Sequence, residues 1–256
     1  MCTVVVLRRP EHRWPLLWAA NRDEMQGRPW LPPGRHWPER PDVVAGLDRL
    51  AGGSWLGIND QGVVAAMLNR MGTLGPEAGK RSRGELVLEA LDHTDAVDAA
   101  QALSQLDPQA YRPFNMLIGD NRDAFWLRAD GAGIRVVPLA EGLSMLTAFE
   151  LNDRADPRID NFLPRFEQAP PPDPDRKDWH GWQTLMASTA PAGTTAGASQ
   201  RSMNREAALC FQLDNGFGTR SSALLALPSV DHPELDPVFL FSPGPPGQAP
   251  YRPVVV

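Results

Sequence analysis

The chain has 256 residues, 31 acidic and 25 basic, with a formal net charge of −6, a balance that argues against a general nucleic-acid binder needing a positive field to collect phosphates. Its apolar content is that of a globular protein, and its length suffices for one sizeable core. Two cysteines far apart, Cys2 and Cys210, exclude a disulfide scaffold and leave too few ligands for a cysteine-based zinc site.

In chain order, the first seventy residues read as strands. Thr3–Leu7 is β-branched and apolar, and Leu16–Ala20 is a second apolar run. Arg28–Pro41 carries five prolines and is expected to be a stiff irregular loop. Val43–Ala45, Ser54–Ile58 and Val63–Leu68 follow, with Asn59-Asp60-Gln61-Gly62 as hairpin chemistry between the last two. These runs are apolar on both faces, which fits a sheet covered on both sides.

Ser82-Arg83-Gly84-Glu85 has capping-box spacing and opens a helix through about Leu91. Thr94 is placed to cap a second helix, which Asp107-Pro108 stops. Phe114–Ile118, Ala124–Arg128, Ile134–Val137 and Leu143–Thr147 read as strands, and Asp156–Phe166 and Trp179–Ala187 as helices. Residues 170–176 form a proline-rich spacer, and Ala190–Ser199 is small and polar, the composition of a mobile loop. Leu209–Gln212 fits helix or strand, and Ser222–Leu227 is a strand. The proline-rich tail, 228–256, is expected to wrap the surface. Strands, helices and strands again predict α+β layers with an antiparallel sheet in one domain, 1–256.

No apolar run approaches the roughly 20 residues of a membrane span. The opening segment lacks the apolar core and cleavage site of a secretory signal, so a cytoplasmic protein with its mature start near residue 1 is expected. The five histidines are scattered without metal-pair spacing, so no metal is expected. Eight tryptophans fit either packing or an apolar groove for a flat or acyl ligand.

Cysteine at position 2 is the first feature with chemical content. Methionine aminopeptidases remove Met1 before a small residue, leaving an α-amine and a thiol on one residue. These groups titrate near 7.7–8.0 and about 8.5, so the amine can take the thiol proton and the thiolate can attack a carbonyl carbon. Asn21-Arg22-Asp23-Glu24, directly after a buried-looking strand, needs partners to stay inside. If that strand pairs antiparallel with Thr3–Leu7, the cluster lies beside Cys2. Asp23 could then orient the amine, and Asn21 or Arg22 could hold a substrate oxygen. Gly52-Gly53-Ser54 and Asn69 fall at neighbouring strand ends.

Cys2-Thr3, Asn21-Arg22-Asp23-Glu24, Arg28-Pro29, Trp37 and Ala51-Gly52-Gly53-Ser54-Trp55-Leu56-Gly57 together resemble the NRDE family, also called the transport and Golgi organisation protein 2 family. Ser82–Leu86, Phe114–Leu117 and Gly218-Thr219-Arg220-Ser221-Ser222 are similar to its later motifs. The resemblance implies an N-terminal nucleophile hydrolase-like αββα sandwich, two mainly antiparallel sheets between helix layers. It implies kinship with bile-salt hydrolases and penicillin acylases, thiol enzymes that cleave linear amides. Cys2 then matches the nucleophile, and Asn21 and Asp23 match the polar cluster. Asn69 matches an asparagine near the oxyanion, and Arg220 a late arginine.

Two departures stand out. Ala20 precedes Asn21 where those amidases have an arginine, and Ala148 follows Thr147 where they have an oxyanion-hole asparagine, with Asn152 four residues on. The expected site is therefore Cys2, Asn21, Arg22, Asp23 and Asn69, with Glu24, Ser54, Trp55 and Arg220 binding a small amide or acyl substrate and no cofactor required. The alternative, also implied by the family, is a non-catalytic carrier of haem or a lipid-like ligand in the same cleft.

Overall fold

The computed structural model describes residues 2–189 and 207–256 of the chain. The segment Ala190–Ser199, read above as a loop, lies outside the described residues. Thirteen strands lie in two sheets among these residues. The first contains β1 (Thr3–Arg8), β2 (Leu16–Met25), β10 (Gly142–Leu146), β11 (Phe217–Leu227), β12 (Val238–Ser242) and β13 (Arg252–Pro253), in the order β10-β1-β2-β11-β12-β13. The second runs in chain order through β3 (Trp30–Gly34), β4 (Val43–Asp48), β5 (Leu56–Asn59), β6 (Val64–Asn69), β7 (Phe114–Gly119), β8 (Ala124–Ala129) and β9 (Ile134–Pro138). All pairings within the two sheets are antiparallel.

Three apolar cores separate the layers. Val4, Val6, Trp18, Leu56, Leu68, Leu117 and Leu225 mesh between the sheets. The opposite face of the second sheet packs Ala65, Met116 and Ile118 on α1 (Gly84–Leu91) and α2 (Ala96–Ser104). The opposite face of the first packs Val5, Leu17, Ala19 and Leu224 on α3 (Pro157–Gln168) and α4 (His180–Met186). Alternate residues of one strand thus serve two cores, which is why the runs are apolar on both faces. The result is the αββα sandwich that the resemblance implies.

Several local expectations change. Arg28–Pro41 is not wholly irregular: β3 lies inside it, and Pro32 and Pro33 are tolerated because β3 is an edge strand with an irregular register. The tail contributes β12 and β13, whose Phe239 and Phe241 reach the inter-sheet core. The capping box does not close. Glu85 turns instead to Arg81 and to Tyr111, whose hydroxyl donates to Oε1 at 2.7 Å. Asp95, not Thr94, caps α2, its side chain accepting from the Asp98 N–H at 2.8 Å. Leu209–Gln212 is neither helix nor strand; Gln212 forms an isolated bridge to Gly218.

The largest difference concerns β2, which runs through the polar cluster to Met25 instead of ending at Ala20. Asn21, Arg22 and Asp23 are buried in mid-sheet, and segments far away in sequence supply the contacts that allow it.

Candidate active site

Strand alternation divides the polar cluster between two faces. Cys2 and Arg22 share the parity of Val4 and Ala20 and face the inter-sheet layer, whereas Thr3, Asn21 and Asp23 share that of Val5 and Ala19 and face α3 and α4. Thr3 pairs with Asn21, and one residue further in this register Cys2 stands opposite Arg22.

The helix-side face is a dense hydrogen-bond network. Arg158 of α3 donates from Nη1 to Asp23 Oδ2 at 3.2 Å and to Thr3 Oγ1 at 2.8 Å. Thr219 of β11 donates to Asp23 Oδ1 at 2.8 Å, and its hydroxyl accepts from the Phe211 N–H at 3.2 Å. The Asp23 and Arg158 side chains are 0% and 2% exposed, so this carboxylate stays inside only because a cation meets it there. Asn21 donates both amide hydrogens away from Cys2, to the carbonyls of Met186 at 3.0 Å and Leu209 at 2.8 Å. That corrects its expected role: an amide with both N–H groups engaged has none left for a substrate oxygen.

The cleft-side face carries the reactive group. Cys2 Sγ accepts from the Asp23 N–H at 3.4 Å and lies 3.6 Å from the Asp23 carbonyl oxygen. Burial raises the thiol above its ordinary value and the Asp23 charge adds to that, while the N-terminal charge, the Asp23 N–H and, least of the three, Arg22 act in the other direction. The Arg22 guanidinium lies 4.2 Å over the Trp55 ring and 5.9 Å from that of Trp30. One guanidinium nitrogen approaches Glu24 at 3.8 Å, and the other, Nη1, is buried with no hydrogen-bond partner. Trp55 takes this position because Gly46 has no side chain; a Cβ there would sit 2.3 Å from the indole.

A cleft of about 690 Å³ opens from Cys2, a size typical of small-molecule sites. Arg22, Asp23, Glu24, Ser54, Trp55 and Asn69 all line it. Asn69, at the end of β6, makes no side-chain hydrogen bond among the described residues and is partly exposed. The Ser54 hydroxyl is turned onto its own chain, donating to Leu56 O at 3.0 Å. Glu24 accepts from the Met25 N–H and stands 3.6 Å from Arg28, which binds Asp48 at 2.5 Å. Arg83 at the rim is locked on Thr73 and Pro113 and lowered to about 10, mainly by burial. The rim is shaped by Gly53 against Gly84: a Cβ on Gly53 would lie 2.4 Å from the Gly84 backbone.

Arg220 is not part of this cleft. It donates to the carbonyls of Glu24 at 3.0 Å and Gly216 at 2.5 Å and lines a separate depression with Cys210 and Phe211. Cys210 is buried, and burial pushes its thiol up to about 11. Asn152 is engaged elsewhere too, its Oδ1 accepting from the Met145 N–H at 2.7 Å. No cluster of three or more metal-ligating side chains and no helix long and apolar enough to cross a membrane occurs among the described residues.

Arg158, Thr3 and Thr219 were not picked out as site residues by sequence reasoning. Arg158 did leave a signal: it lies on the same helix face as Ile159, Phe162 and Phe166, where an unpaired charge cannot stay.

The architecture has known counterparts. The N-acylethanolamine-hydrolyzing acid amidase ortholog of Caenorhabditis elegans superposes with a TM-score of 0.57 at 12% identity, over 88% of this chain and 92% of that one. A conjugated bile acid hydrolase variant from Clostridium perfringens gives 0.51 at 12%, covering 94% and 89%. Penicillin V acylase from Agrobacterium tumefaciens gives 0.50 at 12%, covering 95% and 83%. At such identities the likeness is one of fold, the N-terminal nucleophile hydrolase sandwich.

In sequence, the chain is 36% identical to the Bos taurus transport and Golgi organization protein 2 homolog and 34% to the Mus musculus one, over 112 and 110 residues. Each match spans 41% of this chain and 38% of the relative. A model of the Transport and Golgi organisation 2 family matches residues 1–232, and the chain belongs to that family.

Proposed function

We propose that the protein is a thiol amidohydrolase or acylase that uses Cys2, once Met1 is removed, on a small amide or acyl substrate. The observation that carries this reading is the position of Cys2: its sulfur sits at the head of a cleft, directly in front of the buried Asp23–Arg158–Thr219 network. The Cys2 amine takes the thiol proton, oriented by Asp23, whose own orientation is fixed from behind. Sγ forms a bond to the carbonyl carbon, and the carbon–oxygen π pair moves onto oxygen. Asn69 and Arg22 supply positive dipole and charge on the side where that oxygen develops. The ammonium then protonates the leaving group, a thioester remains, and water hydrolyses it. The fold shared with three amide-cleaving enzymes supports this reading.

The direct test is turnover of amide and thioester panels by the processed protein and by Cys2→Ala. Loss of all turnover with unchanged unfolding supports the reading, and activity that survives the substitution contradicts it.

One observation favours a second reading, a non-catalytic carrier of haem or a lipid-like ligand. The β1–β10 ladder ends at Val4↔Leu146; continued two residues, its register brings opposite Cys2 an alanine, Ala148, with no side-chain donor for an oxyanion. Tight haem or acyl-ligand binding that Cys2→Ala leaves unchanged, without turnover, would support the carrier.

A further inference from the structure

Four strands bring one row of residues across the mouth of the first sheet. Continued past their last pairs, the β1–β10 and β1–β2 registers bring Ala148 and Arg22 to either side of Cys2, and Ser221 pairs with Arg22. Ser221 reaches the cleft-side face through a β-bulge. The register between β11 and β2 shifts from Thr219↔Asp23 to Ser221↔Arg22, so Arg220 is the extra residue. Without the bulge, Thr219 and Ser221 would point the same way. With it, Thr219 bonds Asp23 on the helix side while Ser221 turns toward Arg22 and the chamber below Cys2.

Two buried donors in this row have no partner, Ser221 Oγ and Arg22 Nη1, in residues 1% and 6% exposed. Each such group costs about 1–3 kcal/mol while unsatisfied, and more when charged. Both line a chamber of about 20 Å³ that also contains Cys2 and is walled mostly by apolar residues such as Val4 and Leu68, with Asn21 and Ser222 as its other polar lining. That volume holds one oxygen atom and little more. Of the other donors nearby, Asn21 is committed to two carbonyls, Arg83 to Thr73 and Pro113, and Arg220 to Glu24 and Gly216, while Asn69, uncommitted, lines the larger cleft and not this chamber.

We infer that Ser221 and Arg22 form the oxyanion-binding subsite of this cleft, taking on the strand beside Cys2 the place left empty of donors by Ala148 on the other. This rests on the acyl-transfer reading given above. As Sγ bonds to the acyl carbon, the π pair moves to oxygen, and that oxygen accepts hydrogen bonds from Ser221 Oγ–H and Arg22 Nη1–H. When the carbonyl re-forms, the leaving group departs with the proton held by the Cys2 amine. The cation meets charge only as it develops, which is how such donors lower a barrier.

Two probes of the same thiol separate this role from a structural one. p-Nitrophenyl butyrate acylates Cys2 through a tetrahedral oxyanion, whereas iodoacetamide alkylates it by displacement of iodide with no oxyanion. In Ser221→Ala the burst of p-nitrophenolate slows by a factor on the order of 10², and the alkylation rate is unchanged. Ser222 also lines the chamber, but its hydroxyl is already bonded to Ala20 O and Tyr251, so Ser222→Ala leaves the ratio of the two rates as in the parent.

Acylation of Ser221→Ala at the parental rate overturns the inference. So does an equal fall in both rates, or the same change of ratio in Ser222→Ala. If the parent protein alkylates at Cys2 but is never acylated there, the hydrolase reading falls and the subsite with it. The three earlier outcomes remove the subsite alone.

Discussion

The same three strands, β1, β2 and β11, present opposite solutions to burying polar groups. On the helix side, Asp23 meets Arg158 and Thr219, and both Asn21 N–H groups meet carbonyls, while the Asn21 Oδ1 acceptor has no hydrogen-bond partner among the described residues. On the cleft side, one residue along β2 and past the bulge on β11, Arg22 Nη1 and Ser221 Oγ meet nothing. A network whose donors are engaged holds a backbone in place; donors left open in a 20 Å³ chamber are free to meet a substrate. Stability and reactivity are therefore assigned to different faces of one sheet, and substitutions on the two faces should separate them.

The largest effect on stability should come from Arg158→Leu. Removing the cation from a fully buried carboxylate is expected to cost about 3–5 kcal/mol, read as a lower denaturant midpoint, and a loss well under 1 kcal/mol would break the distinction between faces. Asn21→Ala comes next. It strips the Met186 and Leu209 carbonyls of their donor, for an expected loss of about 1–3 kcal/mol.

On the cleft side, Ser221→Ala should raise stability by about 1–3 kcal/mol, since it deletes a buried hydroxyl with no partner, and a loss of stability would contradict that reading. Arg22→Met should sharpen the comparison by pH. Arg22 is one of the charges that favour the Cys2 thiolate, so its loss should move the midpoint of the alkylation-rate profile to higher pH. A profile that stays in place or moves down would mean that the guanidinium does not act on the thiol.

Much of this was legible in the sequence because one-dimensional pattern and local chemistry sufficed. The apolar runs located β1, β4, β6, β7 and β8 to within a residue or two at most ends, and Asn59-Asp60-Gln61-Gly62 marked a hairpin whose Asn59 Oδ1 accepts from the Gln61 and Val63 N–H groups. Cys2 and the polar cluster were found as neighbours, since antiparallel pairing of two adjacent strands requires little else. Where β2 ends was not legible. Its polar half stays in the sheet thanks to residues 158, 186, 209 and 219, and no local window contains them. The division of the cluster between faces was readable in principle from alternation with Trp18 and Ala20. Only the resemblance puts Arg220 in the cleft, and the bulge at that residue leaves no mark in composition.

The account turns on Cys2 being an activated, cleft-facing nucleophile. The most direct test is intact mass of the purified protein before and after a limiting dose of iodoacetamide at neutral pH. The account predicts loss of Met1 and a single fast adduct mapping to Cys2, with buried Cys210 untouched. A retained Met1, or a Cys2 that reacts no faster than a thiol in a short peptide, would contradict it.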